Sequence, residues 1–431
     1  MKNITIGLVG LGTVGRGVAK LITARRSFVQ EKYGVDLRLK AVCDLQIDAK
    51  FLKTLGGVTA EKDFNKLIND PQIDVIIELI GGLHPALEII KGALNNGKHV
   101  VTANKAVIST FGQELFKLAH ACGRSIYFET AVLAGVPIIK TLTEGLAGNH
   151  YNSLHGIVNG TCNYILSEME STGISFDQAV KLAQEKGYAE ADPSLDINGK
   201  DSAHKLAVLV MLAMGKFVKA SDIYTEGITH IAAEDLQYAR EMDLTIKLLA
   251  IAKKKEDGIE ARVHPTLISR KKSLASVNGV YNAVLLEADV LGDVLLVGQG
   301  AGAMAAASGV FSDLINLGIH NAERDRTWIG DDPRETTKLK LLSMDKVRTD
   351  FYIRLMVIDR PGVLSKITGI LGQYGISIAS LTQKAVSPGA AVPLVMLTHN
   401  AQESDVRKAL DKIGKLSDIK AKPVVIRMEP L

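Results

Sequence analysis

The fold is decided by residues 3–15, "NITIGLVGLGTVG", which join a short apolar strand to a glycine-rich turn. Gly10, Gly12 and Gly15 have the G-x-G-x-x-G spacing, and the apolar pattern that follows predicts a helix to about Gln30. Gly10 allows the tight turn, Gly12 lets a pyrophosphate approach the backbone, and Gly15 packs the helix against the strand. The stretch therefore predicts a dinucleotide site, with a glycine turn that binds no ligand as the alternative.

Other residues near this turn bear on the choice of dinucleotide. Thr13 and Val14 lie in the first helical turn, whose free N–H groups attract a phosphate. The second predicted strand ends in Asp44, and an acid there accepts the ribose hydroxyls of NAD. Arg16 and Lys50 would instead favour the additional phosphate of NADP, and Asp44 could also be a solvated loop acid. The preference between NAD and NADP stays open.

Further strand–helix units follow at 74–82 and 98–105, and the segment 125–137 is predicted to extend the pattern as a strand. Continuous apolar runs of this kind are typical of buried parallel strands. Ligands bind beyond the carboxyl ends of such strands, and Asn104 and Lys105 are predicted to lie at one of these ends.

Composition excludes several classes of protein. The 431 residues predict about two or three domains. A net charge of +4 without a basic run argues against nucleic-acid binding. The longest apolar run, Leu206–Met214, is too short to span a membrane, and Cys43, Cys122 and Cys162 suggest reduced thiols. We therefore expect a cytoplasmic protein.

The segment 190–205, "EADPSLDINGKDSAHK", crowds ionisable groups at the start of a helix that must be buried. Asp201, predicted to begin this helix, and Lys205 are spaced i, i+4 and so share one face. Burial favours the neutral amine of lysines in general, which suits proton transfer, and a carboxylate nearby would hold the ammonium in one orientation. Glu190 adds an anion suited to an α-ammonium group. The pattern favours a catalytic cluster over a structural ion pair, and His204 is interpreted as a buried structural histidine.

Two helices are predicted before this segment. The first follows a strand and an Asn-Gly turn and is predicted to be capped by Thr161. The second is predicted to end at Gly187 as its C′ residue.

At these motifs the chain resembles homoserine dehydrogenase, over essentially its whole length. The blocks that carry the resemblance are "GLVGLGTVGRGV", "GKHVVTANKAVI", "ETAVLAGVPII", "IVNGTCNYIL" and "GYAEADPSLDINGKDSAHKLAVL". The resemblance implies reversible reduction of L-aspartate 4-semialdehyde to L-homoserine with NADH or NADPH, in threonine, methionine and isoleucine biosynthesis. A nicotinamide-binding amino-acid sensor without turnover, or another amino-acid or aldehyde dehydrogenase, is the alternative.

The resemblance also assigns roles to residues. Lys205, Lys105 and Asp201 would be catalytic, and Glu190, Asp201 and Lys105 would bind substrate. The cofactor-binding residues would be Gly10, Gly12, Thr13, Val14, Gly15, Asp44, Lys105, Gly187 and Gly302. A structural monovalent cation such as sodium would be held by Glu129, Val132, Ala134 and Val136.

One loop departs from the family pattern. At 298–308, "GQGAGAMAAAS", Gln299, Ala305 and Ala306 stand where the family usually has Pro, Pro and Thr. The turn glycines are kept, with Gly302 expected near the cofactor. Loss of the stiffening prolines and a hydroxyl leaves closure of this loop open.

Residues 351–431 have the element order βαββαβ, which predicts a ferredoxin-like fold. "DRPGVL" and "GISIASL" resemble an ACT regulatory domain, in which Gly362 would let the effector approach and Asp359 would bind its ammonium. The resemblance implies L-threonine as effector and a homo-oligomer, dimer or tetramer. A dimerisation module without ligand is the alternative.

The sequence thus predicts an α/β protein with three parts. They are a Rossmann-type doubly wound dinucleotide-binding domain at 1–130, completed by about 298–330; an α+β catalytic and dimerisation domain at 131–297; and, after a linker at 331–350, the ferredoxin-like ACT domain at 351–431.

Overall fold

A computed structural model describes residues 2–319, 339–384 and 389–431. Part of the predicted completion of the first domain, 320–330, and part of the predicted linker, 331–338, lie outside the described residues. The described residues form two compact units: the first lies within 1–152, 203–223 and 282–339, and the second within 153–202, 224–281 and 340–431. The domain boundaries expected from the sequence stay a prediction.

The strands are β1 (Lys2–Val9), β2 (Val35–Cys43), β3 (Thr59–Glu61), β4 (Val75–Glu78), β5 (His99–Thr102), β6 (Ile126–Tyr127), β7 (Tyr151–Ile157), β8 (Tyr224–Thr225), β9 (Leu244–Lys255), β10 (Gly258–Ser269), β11 (Tyr281–Ala288), β12 (Gly292–Gln299), β13 (Lys340–Leu341), β14 (Arg348–Thr349), β15 (Phe351–Ile358), β16 (Ile378–Thr382), β17 (Ala391–Thr398), β18 (Ala401–Gln402) and β19 (Val424–Met428).

The α-helices are α1 (Thr13–Ala24), α2 (Arg26–Tyr33), α3 (Ala49–Lys53), α4 (Phe64–Ile68), α5 (Ala86–Asn95), α6 (Lys105–Ala121), α7 (Thr130–Leu133), α8 (Ile138–Lys140), α9 (Gly160–Thr172), α10 (Phe176–Glu185), α11 (Ser194–Ile197), α12 (Lys200–Met214), α13 (Ala233–Glu241), α14 (Ala303–Ile319), α15 (Val363–Gln373) and α16 (Glu403–Ile413). A π-helical turn, Thr141–Gly145, continues α8, and short 3-10 turns lie at Ala220–Asp222, Ser273–Ser276 and Met344–Lys346.

The first unit is built on a parallel sheet of order β3-β2-β1-β4-β5-β6. This is the doubly wound order of Rossmann-type folds, and the predicted fold class is confirmed. The inner strands β1 and β4 are largely apolar, as is typical of parallel strands that are covered on both faces; Ile6, Leu8, Val75 and Ile77 are almost completely buried. α14 packs against α1, where the Cα of Gly17 faces Ala307.

The predicted single helix to Gln30 is wrong, because α1 ends at Ala24 and α2 begins at Arg26. After the break, α2 packs against β2. There, Arg26 forms a bidentate ion pair with the buried Asp36, with Nε–Oδ1 and Nη2–Oδ2 distances of 2.5 and 2.7 Å. This pair holds the pKa of the Asp36 carboxyl below its ordinary value.

The predicted strand at 125–137 is also wrong beyond its start. β6 covers only two residues and is followed by α7 and by Ala134, which has a φ of +42°. The reason is the buried Glu129, whose carboxylate accepts hydrogen bonds from the Ile139 and Lys140 amides at 2.7 and 3.0 Å. Thr130 meanwhile donates to the Ala306 carbonyl of α14. These bonds replace the strand pairing that the sequence suggests.

In the second unit the strands follow the order β7-β9-β10-β19-β15-β17-β16. The last four strands and the helices α15 and α16 form the predicted ferredoxin-like arrangement, with β19 beside β15. β19 also pairs in parallel with β10, where Arg427 is opposite Thr266. The C-terminal module, residues 351–431, therefore shares its last strand with the sheet that contains β7, β9 and β10.

Candidate active site

The glycine turn after β1 has the geometry that a dinucleotide needs. Gly10 has a φ of +99°, and a Cβ there would lie 2.7 Å from the Leu79 backbone. A Cβ on Gly15 would lie 1.9 Å from the Gly10 carbonyl oxygen, so α1 can approach the turn only because this residue is glycine. The space beside Gly12 is open, and α1 begins at Thr13 with its free amides. These residues fit a pyrophosphate.

Asp44 follows β2 and its carboxylate faces the turn. Its Oδ2 accepts a hydrogen bond from the Leu11 amide at 2.6 Å, and its Oδ1 accepts one from the Gln46 amide at 2.9 Å. Arg16 donates to the Leu11 carbonyl and is 3.4 Å from Asp48, which caps the helix containing Lys50. The acid is therefore fixed beside the turn, while the Arg16 cation is already engaged.

A buried network shapes the loop beyond β4 and β5. Glu78 accepts hydrogen bonds from Thr102 Oγ1 at 2.7 Å and from the Ile80 amide at 2.8 Å. Asn104 donates to the Gly82 carbonyl at 2.7 Å. Glu78 and Thr102 were not predicted from the sequence, although an acid inside the apolar run "DVIIELIGG" indicates a buried polar contact.

The same network includes Asn104, which fixes the start of α6 and so the backbone of Lys105. Asn104 caps α6 by accepting a hydrogen bond from the Val107 amide, so Lys105 is the first residue of a helix rather than the end of a strand. One turn later, Ser109 Oγ lies 2.7 Å from His204 Nδ1 of α12. His204 thus connects α6 to the part of α12 that belongs to the first unit. Lys105 and Lys205 are both half-buried.

α12 begins at Lys200, one residue before the predicted start, and its residues 206–211 are buried. In the second unit, Asn159 donates from one Nδ2 to Asp201 Oδ2 at 2.9 Å and to Asp196 Oδ1 at 2.7 Å. A single amide group therefore holds one carboxylate of α11 and one in the first turn of α12. The role of Asn159 was not predicted from the sequence, in which the Asn-Gly pair before a helix was the one indication of it.

Asn159 also corrects the predicted helix cap. Its Oδ1 accepts a hydrogen bond from the Cys162 amide at 2.8 Å, so Asn159, not Thr161, caps α9. Thr161 donates instead to the Tyr188 carbonyl at 2.7 Å. This bond fixes the chain next to Gly187, whose φ of +73° closes the end of α10.

Glu190 lies in the loop between α10 and α11 and is exposed. Gln184 holds this loop from α10 by donating to the carbonyl oxygens of Glu190 and Ala191 at 3.2 and 3.1 Å. The carboxylate of Glu190 is thus presented to solvent by a loop whose backbone is held in place.

The four residues expected around a cation are in the first unit. Burial raises the pKa of the Glu129 carboxyl, although two amides donate to it. The Val136 carbonyl accepts from the Ile138 amide at 2.8 Å, and Val132 and Ala134 lie in and after α7. Within the described residues, no group of three His, Cys, Asp or Glu side chains could hold a metal ion.

The loop with the unusual sequence keeps a tight turn. A Cβ on Gly300 would lie 2.0 Å from the Asn282 amide carbon, and Gly302 has a φ of +115°. The Gln299 carbonyl accepts a hydrogen bond from the Gly135 amide at 3.0 Å. Backbone contacts thus hold the loop without the prolines.

In the C-terminal module, Asp359 and Gly362 flank the turn that begins α15. Asp359 Oδ1 accepts a hydrogen bond from Gln383 Nε2 at 3.1 Å, and its backbone pairs with Gly389 and Ala390. Gly362 has a φ of +88° and open space on its Cβ side. A small ligand could approach the backbone there.

Comparison with known proteins gives consistent matches over the whole chain. Residues 10–129 match the family model "Homoserine dehydrogenase, NAD binding domain", residues 137–315 match "Homoserine dehydrogenase", and residues 351–418 match "ACT domain". A homoserine dehydrogenase of Neisseria gonorrhoeae is 40% identical, with 100% of both chains covered.

Solved structures agree. A homoserine dehydrogenase from Thiobacillus denitrificans has a TM-score of 0.92 and 41% identity, covering 100% of this chain and 99% of the other. A hyperthermophilic archaeal homoserine dehydrogenase in complex with NADPH has a TM-score of 0.61 and 30% identity, covering 73% of this chain and 97% of the other. Across the described residues, no helix is both long and apolar enough to cross a bilayer.

Proposed function

The chain belongs to the homoserine dehydrogenase family and is an NAD(P)-dependent oxidoreductase, and on this premise we propose that Lys205 is the proton donor and acceptor of its reaction. The reaction is the reversible reduction of L-aspartate 4-semialdehyde to L-homoserine. The observation that carries the proposal is the Asp201 carboxylate, which Asn159 holds at 2.9 Å one helical turn before Lys205 on α12.

A bound nicotinamide would supply the hydride, while the residues of this chain position the substrate and stabilise the charge that develops on it. As the aldehyde carbon is reduced, negative charge builds on its oxygen. The Lys205 ammonium stabilises that charge and donates the proton, with Lys105 assisting at the same oxygen. Asp201 and Glu190 orient the substrate, and a carboxylate is the natural partner of its α-ammonium group. In the reverse direction the Lys205 amine accepts the hydroxyl proton.

In this proposal the dinucleotide would be held at the glycine turn by Gly10, Gly12, Thr13, Val14 and Gly15. The remaining cofactor contacts would be Asp44, Lys105, Gly187 and Gly302. Asp44 is fixed beside the turn and Arg16 is engaged by Asp48, which supports a preference for NAD over NADP. The proposed monovalent cation, such as sodium, would have Glu129, Val132, Ala134 and Val136 as its ligands and a structural role.

The C-terminal module is proposed to bind L-threonine and to inhibit the enzyme when threonine accumulates. Asp359 and Gly362 are the proposed effector contacts. Such inhibition requires that threonine bind two states of the protein with different affinity. The proposal also includes a cytoplasmic homo-oligomer, dimer or tetramer, in threonine, methionine and isoleucine biosynthesis.

Steady-state kinetics of the purified full chain tests the reaction. Homoserine should reduce NAD or NADP in a reaction that threonine inhibits, and aspartate semialdehyde should support the reverse reaction. Tight dinucleotide binding without homoserine-dependent reduction would indicate an amino-acid sensor instead. Turnover of another amino alcohol or aldehyde with a higher kcat/KM would indicate a different dehydrogenase.

A further inference from the structure

Arg427 on β19 is a buried cation held by two carboxylates. Its side chain donates to Glu403 from Nε and Nη2 at 2.9 and 2.6 Å, and from Nη1 to Glu226 Oε2 at 2.5 Å. The Tyr224 hydroxyl donates to the same Glu226 oxygen at 2.7 Å. Burial alone would raise the pKa of the Glu226 carboxyl, but His230, Arg427 and Tyr224 hold it well below its usual range. Burying so many charges costs desolvation energy, and an apolar cluster could have given the same stability.

The backbone around Glu226 is in contact with the turn that precedes α12. The Ile228 amide donates to the Ile197 carbonyl at 2.9 Å. A Cβ on Gly227 would lie 2.0 Å from that carbonyl oxygen and 2.5 Å from the Cα of Asn198. The two backbones therefore touch without intervening side chains. Any shift of residues 225–228 must displace the turn 197–199.

That turn leads directly to the proposed substrate contact. Asp201 is two residues after Gly199, and Asn159 links its carboxylate to that of Asp196 on the other side of the turn. A Cβ on Gly199 would lie 3.0 Å from Thr225 Cγ2, so this end of the turn is tightly packed as well. The position of Asp201 is thus set from two sides, by Asn159 and by the segment that contains Glu226.

We propose that Arg427 and Glu226 are positioning residues for the reaction: their ion pair fixes residues 225–228, which in turn fix the turn 197–199 and Asp201. The inference rests on the proposed role of Asp201 in substrate binding. According to this inference, β19, the last strand of the C-terminal module, helps to position the substrate site. Neither residue needs to touch substrate, because a displacement of about 1 Å in a binding group is enough to cost a large factor in activity.

A second arginine allows this role to be separated from stability. Arg354 on β15 also belongs to the C-terminal module and binds the buried Asp235 of α13, with Nε–Oδ1 and Nη2–Oδ2 distances of 2.6 and 2.9 Å. Asp235 also accepts hydrogen bonds from Tyr352 and from the Ala232 amide. Loss of either arginine weakens the attachment of the module, but only Arg427 acts on the segment that contacts the turn 197–199.

The experiment compares Arg427→Met, Arg427→Lys and Arg354→Met in the full chain by thermal unfolding, steady-state kinetics with homoserine, and fluorescence titration with NADPH. Arg427→Met should raise KM for homoserine about tenfold or more, with a smaller change in kcat. The Kd for NADPH should stay within about twofold. Arg427→Lys keeps the charge but not the forked geometry, so its KM should lie between those of Arg427→Met and wild type.

Arg354→Met should lower the melting temperature to a similar extent and leave KM within about twofold. Equal KM values for Arg427→Met and Arg354→Met would overturn the inference. If Arg427→Met does not fold, Glu226→Gln replaces it, because this variant keeps the shape and leaves the Arg427–Glu403 pair intact. An unchanged KM in Glu226→Gln would also overturn it.

Asp201→Asn distinguishes this inference from the proposed function. If Asp201→Asn leaves KM for homoserine unchanged, the proposed role of Asp201 fails and the inference fails with it. If Asp201→Asn raises KM while Arg427→Met and Glu226→Gln do not, the function stands and the positioning role alone is overturned.

Discussion

At the scale of single residues, Asp44 links the glycine turn to the choice of dinucleotide. Its two oxygens are fixed by the Leu11 and Gln46 amides, so the carboxylate cannot easily turn away from a ligand in the turn. A fixed acid accepts ribose hydroxyls and repels the additional phosphate of NADP.

Replacing Asp44 with serine should therefore lower the ratio of kcat/KM for NAD to that for NADP by about tenfold, the equivalent of roughly 1.4 kcal/mol. The measurement is steady-state kinetics with each dinucleotide at saturating homoserine. Glu31→Gln, at an exposed acid on α2, is the matched control and should leave the ratio unchanged. A higher NAD-to-NADP ratio in Asp44→Ser would contradict this role of Asp44 and would indicate that Arg16 and Lys50 determine the preference.

The residues around the glycine turn and on α12 were predictable from the sequence because local spacing carries their chemistry. Glu78 and Asn159 were not, since their partners are 24 and up to 42 residues away along the chain. A polar residue in an apolar run signals that some partner exists. It does not identify the partner, which only the fold brings near.

At the scale of elements, Lys247 shows how a buried cation joins a helix, a strand and a loop. Its ammonium donates to the Val277 carbonyl at 2.8 Å, to Asn278 Oδ1 at 2.7 Å and to Asn163 Oδ1 at 3.3 Å. All three acceptors are neutral, and burial lowers the pKa of Lys247 to about 8. In the unfolded chain the pKa returns to 10.5.

This difference predicts a specific dependence of stability on pH. Between pH 8 and 10.5 the unfolded chain keeps the Lys247 proton while the folded chain has lost it, so the free energy of unfolding rises with pH. Wild type should therefore gain stability relative to Lys247→Met as the pH rises from 7.5 to about 10, measured by urea unfolding. The exposed Lys254→Met on the same strand is the control. A wild-type stability that falls relative to Lys247→Met over this interval would contradict the burial argument.

Elements with a strong local pattern were predicted correctly, and those decided by distant contacts were not. The strands β1, β4 and β5 follow their apolar runs, whereas the break after α1 is followed by an ion pair between Arg26, the first residue of α2, and Asp36 on β2. The segment after β6 leaves the strand conformation because Glu129 must be satisfied by the amides of α8. The secondary-structure propensities of the residues alone could not predict the break after α1 or the end of the strand after β6.

At the scale of the whole molecule, the C-terminal module is joined to the rest of the second unit by β19. The order βαββαβ was predictable from the sequence, but the pairing of Arg427 with Thr266 was not, because it joins residues far apart in the chain. The module is therefore continuous with the sheet of β7, β9 and β10. A change that an effector causes in the module could reach that sheet through β19 and its hydrogen bonds to β10.

The proposed inhibition by threonine gives a test of the module as a whole. Asp359→Asn should raise the threonine concentration for half-maximal inhibition about tenfold or more, because a charge-assisted hydrogen bond to the ammonium is lost. The measurement is a threonine titration of homoserine-dependent turnover. Asp411→Asn, at an exposed position on α16, should leave that concentration unchanged. An equal shift in both variants, or none in Asp359→Asn, would remove Asp359 from the effector site.

The central claim concerns proton transfer by Lys205, and the most direct measurement compares turnover with dinucleotide binding in Lys205→Ala. Lys200→Ala, at the exposed first residue of the same helix, is the matched control. Homoserine-dependent turnover in Lys205→Ala should fall about a hundredfold to ten-thousandfold, while the Kd for NADPH stays within about twofold and Lys200→Ala behaves as wild type. Turnover in Lys205→Ala close to that of Lys200→Ala would contradict the account.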